Sequence, residues 1–106
     1  MEKSTVMRMW ITNKNNRVIT AEMSDSMVAF LSTAIEHGCI GSTFAEDEER
    51  IIAYTRWSDE MTLEQFRSSE EYKIQEGKII QAFAAAGFEI ADDILFNSTA
   101  TILFSN

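Results

Sequence analysis

Two side chains in this sequence have the chemistry of a general base, a lone histidine and a helical glutamate. His37 is the only histidine, and an imidazole changes protonation near neutral pH. Since it directly precedes Gly38, where a predicted helix ends, it suits either a general base or a surface helix terminus, where the helix dipole favours a cation. Glu76 lies in another predicted helix. A carboxylate desolvated in a pocket is a stronger base, but Glu76 lies at the edge of its apolar helix face and equally suits exposure to solvent.

Other catalytic patterns are missing from the sequence. There is no Ser-His-Asp arrangement, no phosphate-binding glycine loop and no metal-ligand spacing. Because Cys39 is the only cysteine, neither an intrachain disulfide nor a cysteine-based zinc site can form. The acidic run at 46–49 is typical of a charged hairpin turn rather than of a metal site. We therefore expect no metal ion and no cofactor.

Charge and composition restrict the partners. The 106 residues carry a formal net charge of −8, and 45% of them are apolar. Nucleic-acid binding depends on clustered Lys and Arg, whereas the nine basic residues here are scattered singly, so we expect neither nucleic acid nor an anionic membrane as a partner. No signal peptide and no apolar stretch of membrane-spanning length is present. We expect one cytoplasmic domain over residues 1–106.

The alternation of apolar residues predicts strands at 5–12, 39–45 and 50–57, and a last strand at 90–104 with a bend or bulge at Asn97 or Ser98. A three- to four-residue period from Ala21 predicts a helix that is capped by Ser24 or Asp25. It should end at Gly38.

Two further helices follow residue 57. Ser58 or Asp59 opens a short one, and Ser68 with Glu71 forms the capping box of a longer one, which ends at Gly87. Within the longer helix, Gly77 costs about 1 kcal/mol relative to alanine, so it should permit a close backbone approach or open space beside a ligand. The order β-α-β-β-α-α-β predicts an α+β fold, a ferredoxin-like antiparallel sheet with helices on one face.

The sheet is expected to have two apolar faces. Residues that alternate along 51–57 point to opposite sides, and both sides carry apolar bulk: Ile51, Ala53, Thr55 and Trp57 on one, and Ile52, Tyr54 and Arg56 on the other. A half-solvated antiparallel sheet should instead have one polar face. A second copy of the sheet is the simplest cover, so we predict a homodimer through the sheet face.

Three segments together resemble the antibiotic biosynthesis monooxygenase domain family: Gly38-Cys39-Ile40-Gly41-Ser42-Thr43-Phe44, Ile51-Ile52-Ala53-Tyr54-Thr55-Arg56-Trp57-Ser58-Asp59, and Phe66-Arg67-Ser68-Ser69-Glu70-Glu71-Tyr72. The resemblance covers roughly residues 5–104. It implies a dimeric α+β barrel with a pocket between sheet and helices in each subunit. The family includes cofactor-independent oxygenases of aromatic polyketides, haem-degrading monooxygenases and many proteins without a known activity, so the fold alone does not determine the function.

The resemblance also indicates site residues. Trp57 matches the family's pocket tryptophan, but Ala53 and Leu63 stand where the polyketide branch has Asn and Tyr. The haem-degrading branch has an iron-binding histidine where Glu76 or a neighbour stands here, so haem degradation is disfavoured. The residues expected to bind substrate are Trp57, Tyr72, Phe66, Leu63, Ala53 and Phe83.

These expectations lead to two functional hypotheses. The first is a cofactor-independent monooxygenase of a small apolar aromatic or quinol-type substrate, in which Trp57 stacks, Tyr72 positions, and Glu76 or His37 takes a proton. The second is a module that binds or senses a small hydrophobic ligand without catalysis. Trp57 is also compatible with a packing role in the core or the dimer, and Tyr72 with a core role.

Overall fold

The computed structural model describes residues 4–105, which form one antiparallel sheet with helices packed on one of its faces. This confirms the predicted fold class. The elements are β1 (Val6–Asn13), α1 (Ala21–Glu36), β2 (Cys39–Glu46), β3 (Arg50–Trp57), α2 (Glu60–Arg67), α3 (Glu70–Ala85), the one-turn helix α4 (Ile90–Asp93) and β4 (Ile94–Thr101). Within residues 4–105, no helix has both the length and the apolar content needed to cross a membrane.

The register of the sheet decides which residues face the helices. The strand order is β2-β3-β1-β4. On β3 the buried residues alternate as expected, and Val6 of β1 lies opposite Trp57 while Trp10 lies opposite Ala53. Because side chains alternate across a strand, Arg8, which lies between Val6 and Trp10, also faces the helices.

Two apolar clusters hold the helices on the sheet. The first joins α1 and α3 to the middle of the sheet, and it includes Met23, Ile51 and Phe83, none of which is accessible to solvent. The second joins α2 to the end of β3 through Trp57 and Phe66. Since burying one large apolar side chain stabilises a fold by about 1.5–3 kcal/mol, these contacts fix all three helices against the sheet.

The helix starts differ from those predicted. Thr20, and not Ser24 or Asp25, caps α1 by accepting a hydrogen bond from the Met23 N–H at 3.1 Å, so the helix begins one turn earlier. Ser69 caps α3 by accepting from the Tyr72 N–H, whereas Ser68 ends α2. The other predicted boundaries are confirmed: Asp59 caps α2, and α1 and α3 end before Gly38 and Gly87, which both have positive φ.

The segment predicted as a strand over 90–104 has three parts. Residues 90–93 form α4, residues 94–101 form β4, and residues 102–105 continue beyond the strand. The irregularity lies at Leu95, because Ile11 pairs with Phe96 while Thr12 pairs with Ile94; it is not at Asn97 or Ser98.

A buried carboxylate explains why 90–93 is helical. The Asp93 side chain accepts from the Glu89 N–H at 2.8 Å, from Arg17 at 2.8 Å and from Asn15, which ties α4 to the loop before α1. A strand at 90–93 would lose these hydrogen bonds.

Gly77 does not serve a close backbone approach. A methyl group added at this position would meet nothing within 4 Å, which contradicts one of the two explanations suggested by the sequence.

We predict that Asp93→Asn lowers the urea midpoint of unfolding at pH 7. The Glu89 backbone hydrogen bond first, and then Arg17, hold the pKa of Asp93 below its usual value. The carboxylate therefore stabilises the fold above the unfolded pKa, about 3.9, and this contribution is lost as the pH falls through the folded pKa. The difference in urea midpoint between Asp93→Asn and wild type should narrow below about pH 4. Asp92→Asn, at an exposed position, is the control. A difference that stays constant down to pH 2.5 would contradict this.

We predict that Gly77→Ala raises the free energy of unfolding by about 0.5–1 kcal/mol, because alanine restricts the unfolded chain and the added methyl group has room. The converse change at an exposed position of the same helix, Ala84→Gly, should lower it by a similar amount. Urea denaturation of both variants checks this, and a destabilised Gly77→Ala would show that the open space is not available.

Candidate functional site

A cavity of about 170 Å³ lies between the sheet and the helices and is partly open to solvent. For comparison, an engineered apolar cavity of about 150 Å³ holds one benzene molecule, so this one has room for a single aromatic ring. Its apolar lining includes Trp10, Met27, Phe30, Leu31, Ala53 and Ile79.

Trp57 forms a fixed part of the cavity wall. The residue is fully buried, and its indole N–H donates to the Thr55 hydroxyl at 2.8 Å on the same strand. Phe66 stacks on the indole with ring centroids 5.3 Å apart and an angle of 26°. One indole face and the N–H group are thus occupied by protein, and the indole supports the cavity wall without an accessible surface of its own.

Phe66 joins this tryptophan to the other aromatic walls. It contacts Phe30 of α1 and Tyr72 of α3 edge to face, at 5.6 and 5.3 Å, and Phe30 in turn contacts Tyr72 at 5.7 Å. Each such pair contributes about 0.5–1.5 kcal/mol beyond its buried area. The aromatic wall is therefore held by several ring contacts, and it links three helices to β3.

A hydrogen-bonded pair lies where the cavity meets solvent. The Tyr72 hydroxyl donates to the Glu76 carboxylate, one turn further along α3, at 2.8 Å. Burial, and then the hydrogen bond to Glu76, raise the pKa of Tyr72. The phenol is therefore neutral at physiological pH and acts as a donor, while Glu76 is exposed and lines the same cavity.

Two arginines also line the cavity, and the sequence analysis did not identify either as a site residue. Arg8 donates to the Thr99 hydroxyl at 3.2 Å and to the Asn97 side-chain oxygen on β4. Arg67 lies at the end of α2 and pairs with Glu64 at 3.2 Å. The sequence did contain a signal for Arg8. On the predicted strand, this charged residue lies on the same face as the apolar residues Val6 and Trp10, which face the core.

The structure brings most of the predicted site residues together. Those that line the cavity are Ala53, Trp57, Leu63, Phe66, Tyr72 and Glu76. Two lie outside its lining: Phe83 is fully buried and packs on Trp10 and Phe88, while His37 pairs with Glu71 at 2.9 Å. Within residues 4–105, no cluster of three or more His, Cys, Asp or Glu side chains is arranged to hold a metal ion.

The chain is similar to several solved structures. SnoaB, a cofactor-independent oxygenase from Streptomyces nogalater, superposes with a TM-score of 0.65 at 6% identity, covering 98% of this chain and 95% of that one. A protein of unknown function from Nitrosomonas europaea gives 0.62 at 11% identity, covering 97% and 92%. A putative antibiotic biosynthesis monooxygenase from Chloroflexus aurantiacus gives 0.56 at 15% identity, covering 97% of each chain.

Comparisons of sequence alone found no such likeness. No protein-family model and no curated protein matches the chain. At identities this low, a structural likeness carries information about fold and not about chemistry. The chain has the α+β fold of the antibiotic biosynthesis monooxygenases, as the resemblance in its sequence indicated.

Proposed function

We propose that this protein is a cofactor-independent monooxygenase of a small aromatic or quinol-type substrate, bound in the cavity between sheet and helices. The observation that carries the proposal is an aromatic-walled cavity for one ring with the Tyr72–Glu76 pair at its open side. SnoaB, which shares the fold, is a cofactor-independent oxygenase, so this fold is compatible with the proposed reaction class.

Hydroquinone illustrates the chemistry. Glu76 takes a proton from the substrate hydroxyl, and the electron-rich anion forms a bond between a ring carbon and O₂. The resulting hydroperoxide loses water and leaves a hydroxyquinone, so that hydroquinone and O₂ become hydroxyquinone and H₂O. One oxygen atom enters the substrate, and the other leaves as water with two substrate hydrogens.

The protein contributes position and protonation to this reaction. Phe30 and Tyr72, whose rings are only half-buried and pack on Phe66, hold the ring plane. The Tyr72 hydroxyl positions the base, because it donates to the Glu76 carboxylate. Holding reactants in the correct geometry contributes more to such a reaction than an extensive catalytic set does. His37 is paired with Glu71 outside the lining, so we assign the proton acceptor to Glu76.

A homodimer is part of the proposal. The sheet face away from the helices carries half-buried apolar side chains, among them Met7, Met9, Ile11, Ile52 and Tyr54. Helices cover only the other face, so this one is an apolar surface of the kind that a second copy covers. If the sheets of two copies paired through these faces, they would form a closed barrel with both apolar faces inside it.

A non-catalytic binding module is the second candidate. One observation favours it: the positions at which the polyketide oxygenases carry Asn and Tyr are occupied by Ala53 and Leu63, both buried and apolar. Such a protein would hold an aromatic ligand in the same cavity and leave it unchanged.

We predict that wild-type protein consumes O₂ in the presence of hydroquinone and that Ala53→Leu reduces the rate at least about ten-fold, because the larger side chain fills the space of the substrate ring and displaces it from the reactive geometry. Ala84→Leu, which adds the same atoms at an exposed site on α3, is the control. An oxygen electrode measures the rate, and urea denaturation checks that both variants fold.

Binding of hydroquinone without O₂ consumption above the uncatalysed rate would support the binding module instead. Equal rates for wild type and Ala53→Leu would contradict the placement of the substrate in this cavity.

We predict a particle of twice the 12.0 kDa chain mass by light scattering, and dissociation in Met9→Glu, since a charge buried without a partner in an interface is costly. Ser32→Glu, which places the same charge on an exposed position of α1, should remain dimeric. A wild-type particle with the mass of one chain would contradict the dimer.

A further inference from the structure

Two guanidinium groups line the cavity at its polar side. Arg8 comes from the central strand β1 and Arg67 from the end of α2. The two lie close enough for the charge on Arg67 to lower the pKa of Arg8, second in effect only to burial. In a chain with a net charge of −8, a pair of neighbouring cations inside a cavity requires an explanation.

Among the described residues, Arg8 has only neutral hydrogen-bond acceptors. Its guanidinium donates to Thr99 and Asn97, and among residues 4–105 no carboxylate forms an ion pair with it. A partly buried cation is stabilised best by an opposite charge. The Arg8 guanidinium is thus held in place by β4, while no carboxylate within residues 4–105 neutralises its charge by a direct contact.

Arg67 interacts with the Tyr72 hydroxyl and with Glu64, but one of its donors is unused. Its pairing with Glu64 involves side chains that are 34% and 50% exposed, three residues apart on one helix, and pairs of this kind contribute little. The Arg67 Nε atom is buried and has no hydrogen-bond partner within the described chain. A buried donor without an acceptor is unfavourable.

We infer that the cavity takes an aromatic ligand that bears an acidic group, with the ring against Phe30 and Tyr72 and the anionic oxygens between Arg8 and Arg67. This assignment rests on the cavity of the proposed function and narrows its substrate class to acid-bearing aromatics. A carboxylate accepts two parallel hydrogen bonds from a guanidinium, and here it would also relieve the repulsion between the two cations. The apolar walls select the ring, and the arginine pair selects its charge.

The nearby acidic side chains do not fill this role. The Glu76 carboxylate accepts from Tyr72, and Glu64 remains at the surface of α2. Both raise the pKa of Arg8, but each has a smaller effect than Arg67 has in lowering it. Arg67 is thus the charged neighbour with the largest single effect on Arg8, ahead of either carboxylate.

Benzoate and benzamide test the inference, because they share a ring and differ in charge. We expect wild-type protein, titrated by two-dimensional NMR, to bind benzoate about ten-fold or more tightly than benzamide, the effect expected of hydrogen bonds to a charged group. In Arg8→Gln this preference should fall to within about two-fold. Arg8→Lys keeps the charge but loses the paired donors of the planar guanidinium, so it should retain part of the preference for benzoate.

Lys78→Gln is the matched control, since it removes one positive charge from an exposed position of α3 and should leave the preference unchanged. Arg67→Gln gives a second test at a helix end if Arg8→Gln does not fold. Equal binding of the two probes by wild type, an unaltered preference in both arginine variants, or no binding of either probe would each overturn the inference. Because the readout is binding and not turnover, a protein that prefers benzoate yet consumes no O₂ would overturn only the proposed monooxygenase activity.

Discussion

The stacking of Phe66 on Trp57 is the contact on which the rest of the site depends. It joins the short helix α2 to the end of β3, and the same phenyl ring contacts Phe30 of α1 and Tyr72 of α3. Loss of such a ring from a core costs about 3–5 kcal/mol. With Phe66 fixed, α3 presents Tyr72 and Glu76 at the open side of the cavity, and the space between this aromatic wall and Ile79 stays available to a ligand.

The site combines two kinds of recognition that come from different parts of the fold. Ring-binding surfaces come from side chains whose positions are fixed by packing in the core. Polar groups come from the sheet, where Arg8 is held by β4, and from the ends and edges of α2 and α3. Hydrogen-bond donors placed before the reaction need no reorganisation during it. Such an arrangement suits a reaction in which the substrate itself, once deprotonated, reacts with O₂.

Much of the fold could be predicted from local patterns, and the site only in part. The alternation in 50–57 and the helical period from Ala21 identify elements because each repeats over several residues. The turn at 90–93 was missed since its cause, the contact of Asp93 with Arg17, is distant in sequence. Arg8 was missed for a similar reason, because its hydrogen-bond partners on β4 are about ninety residues away. Trp57 was predicted as a site residue from the family resemblance, and Tyr72 from its place on the buried side of α3. Neither indicates that Phe66 already covers the indole.

The central claim is that an aromatic ring binds in the cavity between the sheet and the helices, beside Phe30 and Tyr72. The most direct measurement is the set of intermolecular nuclear Overhauser effects between hydroquinone protons and protein methyl groups, recorded without oxygen so that the ligand persists. The account predicts contacts to the methyl groups of Leu31, Leu63 and Ile79, which line the cavity. Contacts confined to Met9 and Ile52 on the opposite face of the sheet, or none to the cavity, would contradict it.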